Sequence, residues 1–392
     1  MKFKFTKEQQ DFRQEVRNFF RKVPWLEIRR ENKPFDLLSF YKEVTEKGWT
    51  GLLAPKEYGG QGKDAIYETI FAEEISYSEA PPEVILYFSM IEYCTNLVLR
   101  CATENQKKEY LPRVIRGELR ATQMYTEPDS GSDLASVKTN AVRKGDYYII
   151  NGQKMFTSNI DSPYSILMAR TDPYAPPEKG ISLFILDNNA PGISYTFLKN
   201  ICEIETTQVF LEDVKIHQEN LIGEENKGWD YFLRTKDCYW HKARVWTYVN
   251  WQKMLDAIVQ YVKNTRANGR LLSRNPAVRQ KIAEMIIDLK ALRLLIYRLS
   301  FMQSAGLDTL GFAAILKIIG DDAFLRLANN AMQILGLFGQ LGGGTSYTPL
   351  SGMMEAMYRA AAIYHYVDSG GAVKAKDFLA NYGLGLPELS NP

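Results

Sequence analysis

Residues able to do chemistry are thinly spread along this chain, and one loop concentrates them. Thr126-Glu-Pro-Asp-Ser-Gly-Ser-Asp133 sets hydroxyls and carboxylates in a turn-rich stretch, where Gly131 lets the backbone come close to a ligand. By itself such a loop is an ordinary polar turn. Arg266, within Asn264-Thr-Arg-Ala-Asn-Gly269, carries a fork that suits phosphate oxygens, although a lone arginine there also reads as a solvated helix residue. Phe156 taken singly reads as plain core. The three histidines, His217, His241 and His365, are dispersed. Cys94, Cys101, Cys202 and Cys238 show no CxxC pair, so no metal set and no nucleophile–base pair is expected. Hydrolase and metalloenzyme readings fit poorly.

The elements that must position these residues fall into three stretches. A Thr6-x-x-Gln9 capping box opens a helix in which Phe12, Val16, Phe19 and Val23 recur at helical spacing. Helical segments are expected around 36–48, 64–79, 83–102 and 105–117, so residues 1–118 read as a helical domain. Over 119–228 the texture changes to short β-branched and aromatic runs (SVKTNAV, YYIINGQ, SILMART, ISLFILD, GISYTFL, TQVFLEDVKI), read as a small β-barrel or sandwich. Asn151-Gly152 is taken as a hairpin turn, and the proline-rich loop from Asp172 to Gly180 separates two strands. Over 229–392 the helical period returns, clearest at Ile282, Met285, Ile286, Leu289, Leu292, Ile296 and Leu299. The chain is therefore mainly α with a middle β-domain. It has no βαβ alternation and no GxGxxG, which argues against a doubly wound nucleotide fold.

Composition bounds the rest. With 392 residues and 45% apolar content the chain can bury a sizeable core. Lys+Arg 48 against Asp+Glu 46 gives +2, with no basic run to attract nucleic acid or anionic lipid. The polar start and the lack of an apolar run near the roughly 20 residues of a membrane span predict no membrane insertion. Together with the unpaired cysteines this predicts a cytoplasmic protein.

Several motifs at ordered distances resemble one family. Gln106-Lys-Lys-Glu-Tyr-Leu-Pro112, Gly117-Glu118 and Thr126 to Asp133 are similar to the signature run of the acyl-CoA dehydrogenases. Pro55-Lys-Glu-Tyr-Gly-Gly-Gln-Gly62, Ile150-Asn-Gly-Gln-Lys-Met-Phe156, Phe210-Leu-Glu-Asp-Val214 and Gln333-Ile-Leu-Gly336 extend the resemblance over nearly the whole chain. It implies an N-terminal helical domain, a middle β-domain and a C-terminal four-helix bundle that drives tetramer formation, with FAD as cofactor. It further implies that Thr126 bonds the pyrimidine side of the flavin, that the backbone of Gln123 and Tyr125 meets its edge, and that Gly131 and Ser132 serve the pyrophosphate. Phe156 then flanks the flavin, where the family more often has Trp, and the Ser158 hydroxyl faces N5. Arg266 and Gln333 would reach the flavin of a neighbouring subunit, and Gly336 is expected at the cofactor as well. Asn268 and Leu337 depart from the pattern at the adenosine end.

The same resemblance identifies the base. Counting from Tyr358-Arg359 puts Asp368 where most members carry glutamate, with Asp368-Ser-Gly in place of Glu-Gly-Thr. The family's alternative base position falls near Trp240, which takes no proton. A carboxylate is needed because a thioester α-proton is only weakly acidic, and burial would raise an aspartate toward useful basicity. Aspartate is shorter by about one bond, and a displacement of about 1 Å can cost about a hundredfold in rate. An alicyclic or branched acyl group, cyclohexane-type thioesters included, would compensate by shape. Ser132 and Glu92 are expected beside the substrate with Asp368, although Glu92 also reads as a solvent-facing residue. The implied acceptor is an electron-transfer flavoprotein and the implied assembly a homotetramer. Two alternatives remain: a flavin oxidase of the nitroalkane-oxidase or acyl-CoA-oxidase type, and a catalytically degraded subunit that acts as a binding protein.

Overall fold

The computed structural model describes residues 4–31, 35–202, 205–343, 348–366 and 371–386. Helix α1 (Lys7–Arg21) begins at the expected box: Gln9 N–H donates to Thr6 Oγ1 at 3.2 Å, and Thr6 N–H donates to Gln9 Oε1 at 3.0 Å. Then come α2 (Trp25–Glu31), α3 (Leu37–Glu46), α4 (Ala65–Tyr77), α5 (Pro82–Cys101) and α6 (Glu104–Ile115), the last opened by a second box between Thr103 and Gln106. The strands are β1 (Ala121–Met124), β2 (Asn140–Lys144), β3 (Tyr147–Thr157), β4 (Tyr164–Arg170), β5 (Ile181–Asp187), β6 (Ile193–Leu198) and β7 (Thr206–His217). Helix α7 (Gly228–Asn264) leads through a small hairpin, β8 (Arg266–Ala267) and β9 (Arg270–Leu271), into α8 (Pro276–Ser304), α9 (Leu310–Leu335), α10 (Met353–Tyr366) and α11 (Gly371–Phe378).

By packing, the chain groups into two compact units whose members are not contiguous in sequence. One comprises Pro24–Asp64 and Pro81–Tyr239, the other Met1–Val23, Ala65–Ala80 and Trp240–Pro392. The N-terminal third thus contributes to both. In the first unit a seven-stranded sheet runs β1-β4-β2-β3-β7-β6, with β5 paired to β4 off this path. β1 lies parallel to β4, Ala121 opposite Tyr164 and Met124 opposite Leu167, so a strand that precedes β4 by some 40 residues becomes its neighbour. Tyr148, Ile150, Leu167, Phe184, Val209, Leu211 and Val214 fill the core against this sheet. Helix α5 packs on β1, where Ala121 N–H donates to Cys94 Sγ at 3.3 Å, and on the loop before β4, where Ser162 Oγ donates to Met90 Sδ at 3.0 Å.

In the second unit, apolar packing is tied by buried charge. Arg13 reaches both Glu73 and Glu74 at 2.7 Å, and Arg293 Nε holds Glu73 at 2.8 Å, which fastens α1 and α8 to α4. Arg244 and Lys317 both pair with Asp321, all three fully buried. Trp251 stacks on Phe324 at 5.7 Å beside them.

Two sequence expectations change. Asn151-Gly152 is no turn: β3 runs through it with a shift in register against β7, and a Cβ at Gly152 would lie 2.4 Å from Thr139 Oγ1, so glycine serves close approach there. The β2–β3 turn is at Gly145, whose φ of 62° suits a residue without Cβ. Helix α5, with 20 residues, is long enough and on average apolar enough to cross a bilayer, but Glu83, Glu92 and Arg100 interrupt it, as expected of a chain with no continuous apolar run of that length, and most of its apolar window is buried as a core helix. Ile286, assigned to the buried stripe of α8, is 41% exposed, while Met285, Leu289, Leu292, Ile296 and Leu299 are buried.

Candidate active site

The end of β1 and the end of β3 come together in the first unit. Met155 N–H donates to Thr126 O at 2.8 Å, which joins the loop after β1 to β3. Register slips between Lys154 and Thr157, and within that bulge Phe156 takes φ 58° and stands 55% exposed. A large aromatic in the left-handed region is strained by roughly 1–3 kcal/mol, so the surrounding fold imposes the pose. Thr207 Oγ1 donates to Thr157 O at 3.0 Å and Thr122 Oγ1 to Ser158 O at 2.5 Å, which fixes the backbone on both sides of the peptide leading to Ser158.

What these contacts leave open is as informative. The hydroxyls of Thr126 and Ser158 are half-buried and make no hydrogen bond among the described residues. Ala121 turns its N–H to α5, away from β4, so the alternation of a strand points the N–H groups of Gln123 and Tyr125 along the same unladdered edge. Gly131 has only Thr126 Cγ2, 3.8 Å from where a Cβ would be, and Ser132 beside it is exposed. An exposed aromatic, two unengaged hydroxyls, an open strand edge and a bare glycine surround one place.

A buried ion pair holds it. Lys154 Nζ donates to Glu127 Oε1 at 2.7 Å and to Tyr125 O at 2.9 Å, and Glu127 accepts from the N–H groups of Lys138 at 2.6 Å and Thr139 at 2.9 Å. Burial drags the Lys154 ammonium down to about 8 against the opposing pull of Glu127. Burial also pushes the Glu127 carboxyl up, but Lys154 and the hydrogen bonds it accepts outweigh this and leave it below the usual carboxylate range.

Family models of three consecutive domains cover most of the chain. The acyl-CoA dehydrogenase N-terminal domain matches residues 6–118, the middle domain 122–214 and the C-terminal domain 226–370. Acyl-CoA dehydrogenase FadE26 of Mycobacterium tuberculosis is 30% identical over 100% of both chains. The chain belongs to the acyl-CoA dehydrogenase family. Among solved structures, the ChsE4-ChsE5 complex from Mycobacterium tuberculosis superposes with a TM-score of 0.84 at 28% identity, covering 99% of this chain and 100% of that one. The Tcur3481-Tcur3483 steroid ACAD gives 0.83 at 27% identity, covering 99% and 100%. The protein therefore has the acyl-CoA dehydrogenase architecture and is an oxidoreductase acting on acyl-CoA.

Acyl-CoA dehydrogenases are flavoproteins, and the groups left open around Thr126, Ser158 and Phe156 fit a flavin. The other candidates lie in the second unit. Arg266 sits in the β8–β9 hairpin rather than on a helix, exposed, with Nη1 donating to Gly269 O at 2.9 Å. Gln333 is exposed on α9 and accepts from Lys281 Nζ, and Gly336, the C-cap of α9 with φ 60°, has open space around it. Trp240 is fully buried with its ring edge on Phe378, 5.3 Å away. Glu92 on α5 is half-buried rather than turned to solvent. Asp368 lies outside the described residues. Sequence reading missed the Lys154–Glu127 pair, although a lysine at an inward position of an alternating strand could have signalled a buried partner.

Proposed function

We propose that this acyl-CoA dehydrogenase uses FAD to oxidise the α,β bond of a CoA thioester whose acyl part is alicyclic or branched, with Asp368 as the base. When bound, FAD supplies the acceptor for the hydride that leaves Cβ. Thr126, with the Gln123 and Tyr125 backbone, would hold the pyrimidine side, the Ser158 hydroxyl would bond N5, Phe156 would flank the ring, and Gly131 and Ser132 would meet the pyrophosphate. Arg266 and Gln333 would complete the cofactor site of a neighbouring subunit, and Gly336 would meet the cofactor as well. Asp368 takes the proton from Cα, and the electron pair of that C–H bond forms the Cα–Cβ double bond as the hydride leaves Cβ, which gives the enoyl thioester. The observation that carries this reading is the pair of half-buried hydroxyls, Thr126 and Ser158, left without partners around an aromatic held in a strained pose.

The substrate class follows from reach. Asp368 is about one bond short of the usual glutamate, and a Cα within a ring or branch can stand closer to that shorter carboxylate than the Cα of a straight chain, which compensates. A protein of similar fold described as a steroid ACAD supports a ring-bearing acyl group. Electrons pass to an electron-transfer flavoprotein, and the cytoplasmic protein works as a homotetramer. In support of assembly, Ile287, Leu294 and Phe301 recur at seven-residue spacing on α8 and are 66%, 54% and 47% exposed. Anaerobic mixing of the FAD-loaded protein with straight, branched and cyclohexane-type CoA thioesters tests the proposal. Ring or branched members are expected to bleach the flavin fastest, and Asp368→Ala to abolish bleaching. Oxygen uptake with peroxide would favour an oxidase, and no bleaching by any thioester would sink the dehydrogenase reading.

A further inference from the structure

Tyr93 of α5 and Tyr125 at the end of β1 bond to one another through their hydroxyls. Two phenols bring two O–H hydrogens, and a bond between them engages only one. Neither hydroxyl makes another hydrogen bond among the described residues, so one donor is left over in a buried place, where Tyr125 is 8% exposed. Burial pushes both phenols up, so both keep their hydrogens at working pH.

Among the described residues, the groups packed on the pair make no hydrogen bond to either hydroxyl beyond the one the two phenols share. The Phe232 ring lies 6.0 Å from Tyr125 and the Tyr239 ring 6.5 Å from Tyr93. The Lys236 ammonium lies over both of those rings, at 4.4 and 5.9 Å, and an ammonium accepts nothing. The Cys94 thiol beside them is engaged with the Ala121 backbone. A buried donor left unmatched costs about 1–3 kcal/mol, so such a donor is retained where something meets it.

Its location says what. Tyr125 immediately precedes Thr126, and its own carbonyl is fixed by Lys154, so the phenol pair is tied to the loop that carries the unengaged Thr126 hydroxyl. We propose that the Tyr93–Tyr125 pair is a specificity element that donates a hydrogen bond to an oxygen carried by the acyl group, so that the substrates are oxygenated acyl thioesters (keto or hydroxy, on a ring or branch) and not pure hydrocarbons. This rests on the acyl-CoA reading given above. The pair acts by positioning; the proton transfer of the oxidation stays with Asp368.

The test uses FAD-loaded protein and two matched probe sets: cyclohexanecarboxyl-CoA with its 3-oxo and 4-oxo counterparts, and hexanoyl-CoA with 5-oxohexanoyl-CoA. Binding is read by isothermal titration and reduction by anaerobic flavin bleaching. Wild type is expected to favour at least one oxo member over its hydrocarbon partner by about tenfold or more, and Tyr93→Phe/Tyr125→Phe to erase that ratio. Of the two single variants, the one that erases more marks the phenol facing the acyl group. Equal handling of oxo and hydrocarbon members by wild type would overturn the proposal and give the spare hydrogen to water. A preference that survives in the double variant would overturn it too. Should no thioester bleach the flavin while the binding preference appears and is lost in the double variant, the role of the phenol pair stands and the dehydrogenase reading falls.

Discussion

Phe156 shows how a single residue can work against its own preference. Its φ of 58° belongs to the left-handed region that glycine enters freely, and the bulge that imposes it also turns the ring outward. Phe156→Gly should therefore raise the stability of the apoprotein by about 1 kcal/mol in denaturant melts, while FAD affinity falls about tenfold or more in fluorescence titration. A variant with unchanged FAD affinity would remove the ring from the cofactor site. The place of Phe156 on a strand after Gly152-Gln-Lys-Met was legible, because spacing along one strand survives folding, whereas the left-handed pose was not. The phenol pair was not, since Tyr93 and Tyr125 are 32 residues apart and only the packing of α5 on β1 brings their hydroxyls together.

At the scale of elements, one ion pair joins the loop after β1, the start of β2 and the middle of β3. The Glu127 carboxyl lies below its ordinary value near 4.5, so the folded state binds its proton less readily than the unfolded chain. Its contribution is full above that ordinary value and is lost as pH falls through the lowered folded one. Amide exchange at Lys138 and Thr139, whose N–H groups it accepts, should accelerate over that acid window along with flavin release. Glu127→Gln should show the fast exchange already at neutral pH; protection unchanged in that variant would show that the carboxylate does not hold the loop. Helices were legible almost to their ends because capping boxes and the 3.6-residue period are local. Asn151-Gly152 misled because the same dipeptide that favours a turn also serves where a neighbouring strand leaves no room for a Cβ. The parallel β1–β4 pairing has no local signature at all.

For the whole molecule, order along the chain differs from grouping in space, since α1 and α4 pack with the C-terminal helices while α2, α3, α5 and α6 pack with the sheet. The exposed apolar residues of α8 mark where further copies are expected. Leu294→Glu should lower the mass in sedimentation and, because Arg266 and Gln333 are proposed to serve a neighbour, lower bound flavin in proportion. Loss of mass with flavin fully retained would place the whole cofactor site within one subunit. Synthesis adds an order in time. Helix α5 emerges before its partner strand β1, and the Asp237 that receives Arg100 at its C-terminal end is 137 residues further on. The contacts that cover α5 thus form in two stages as the chain is made, first with β1 close behind it and later with the start of α7, so its last turn is the part that stays uncovered longest during synthesis.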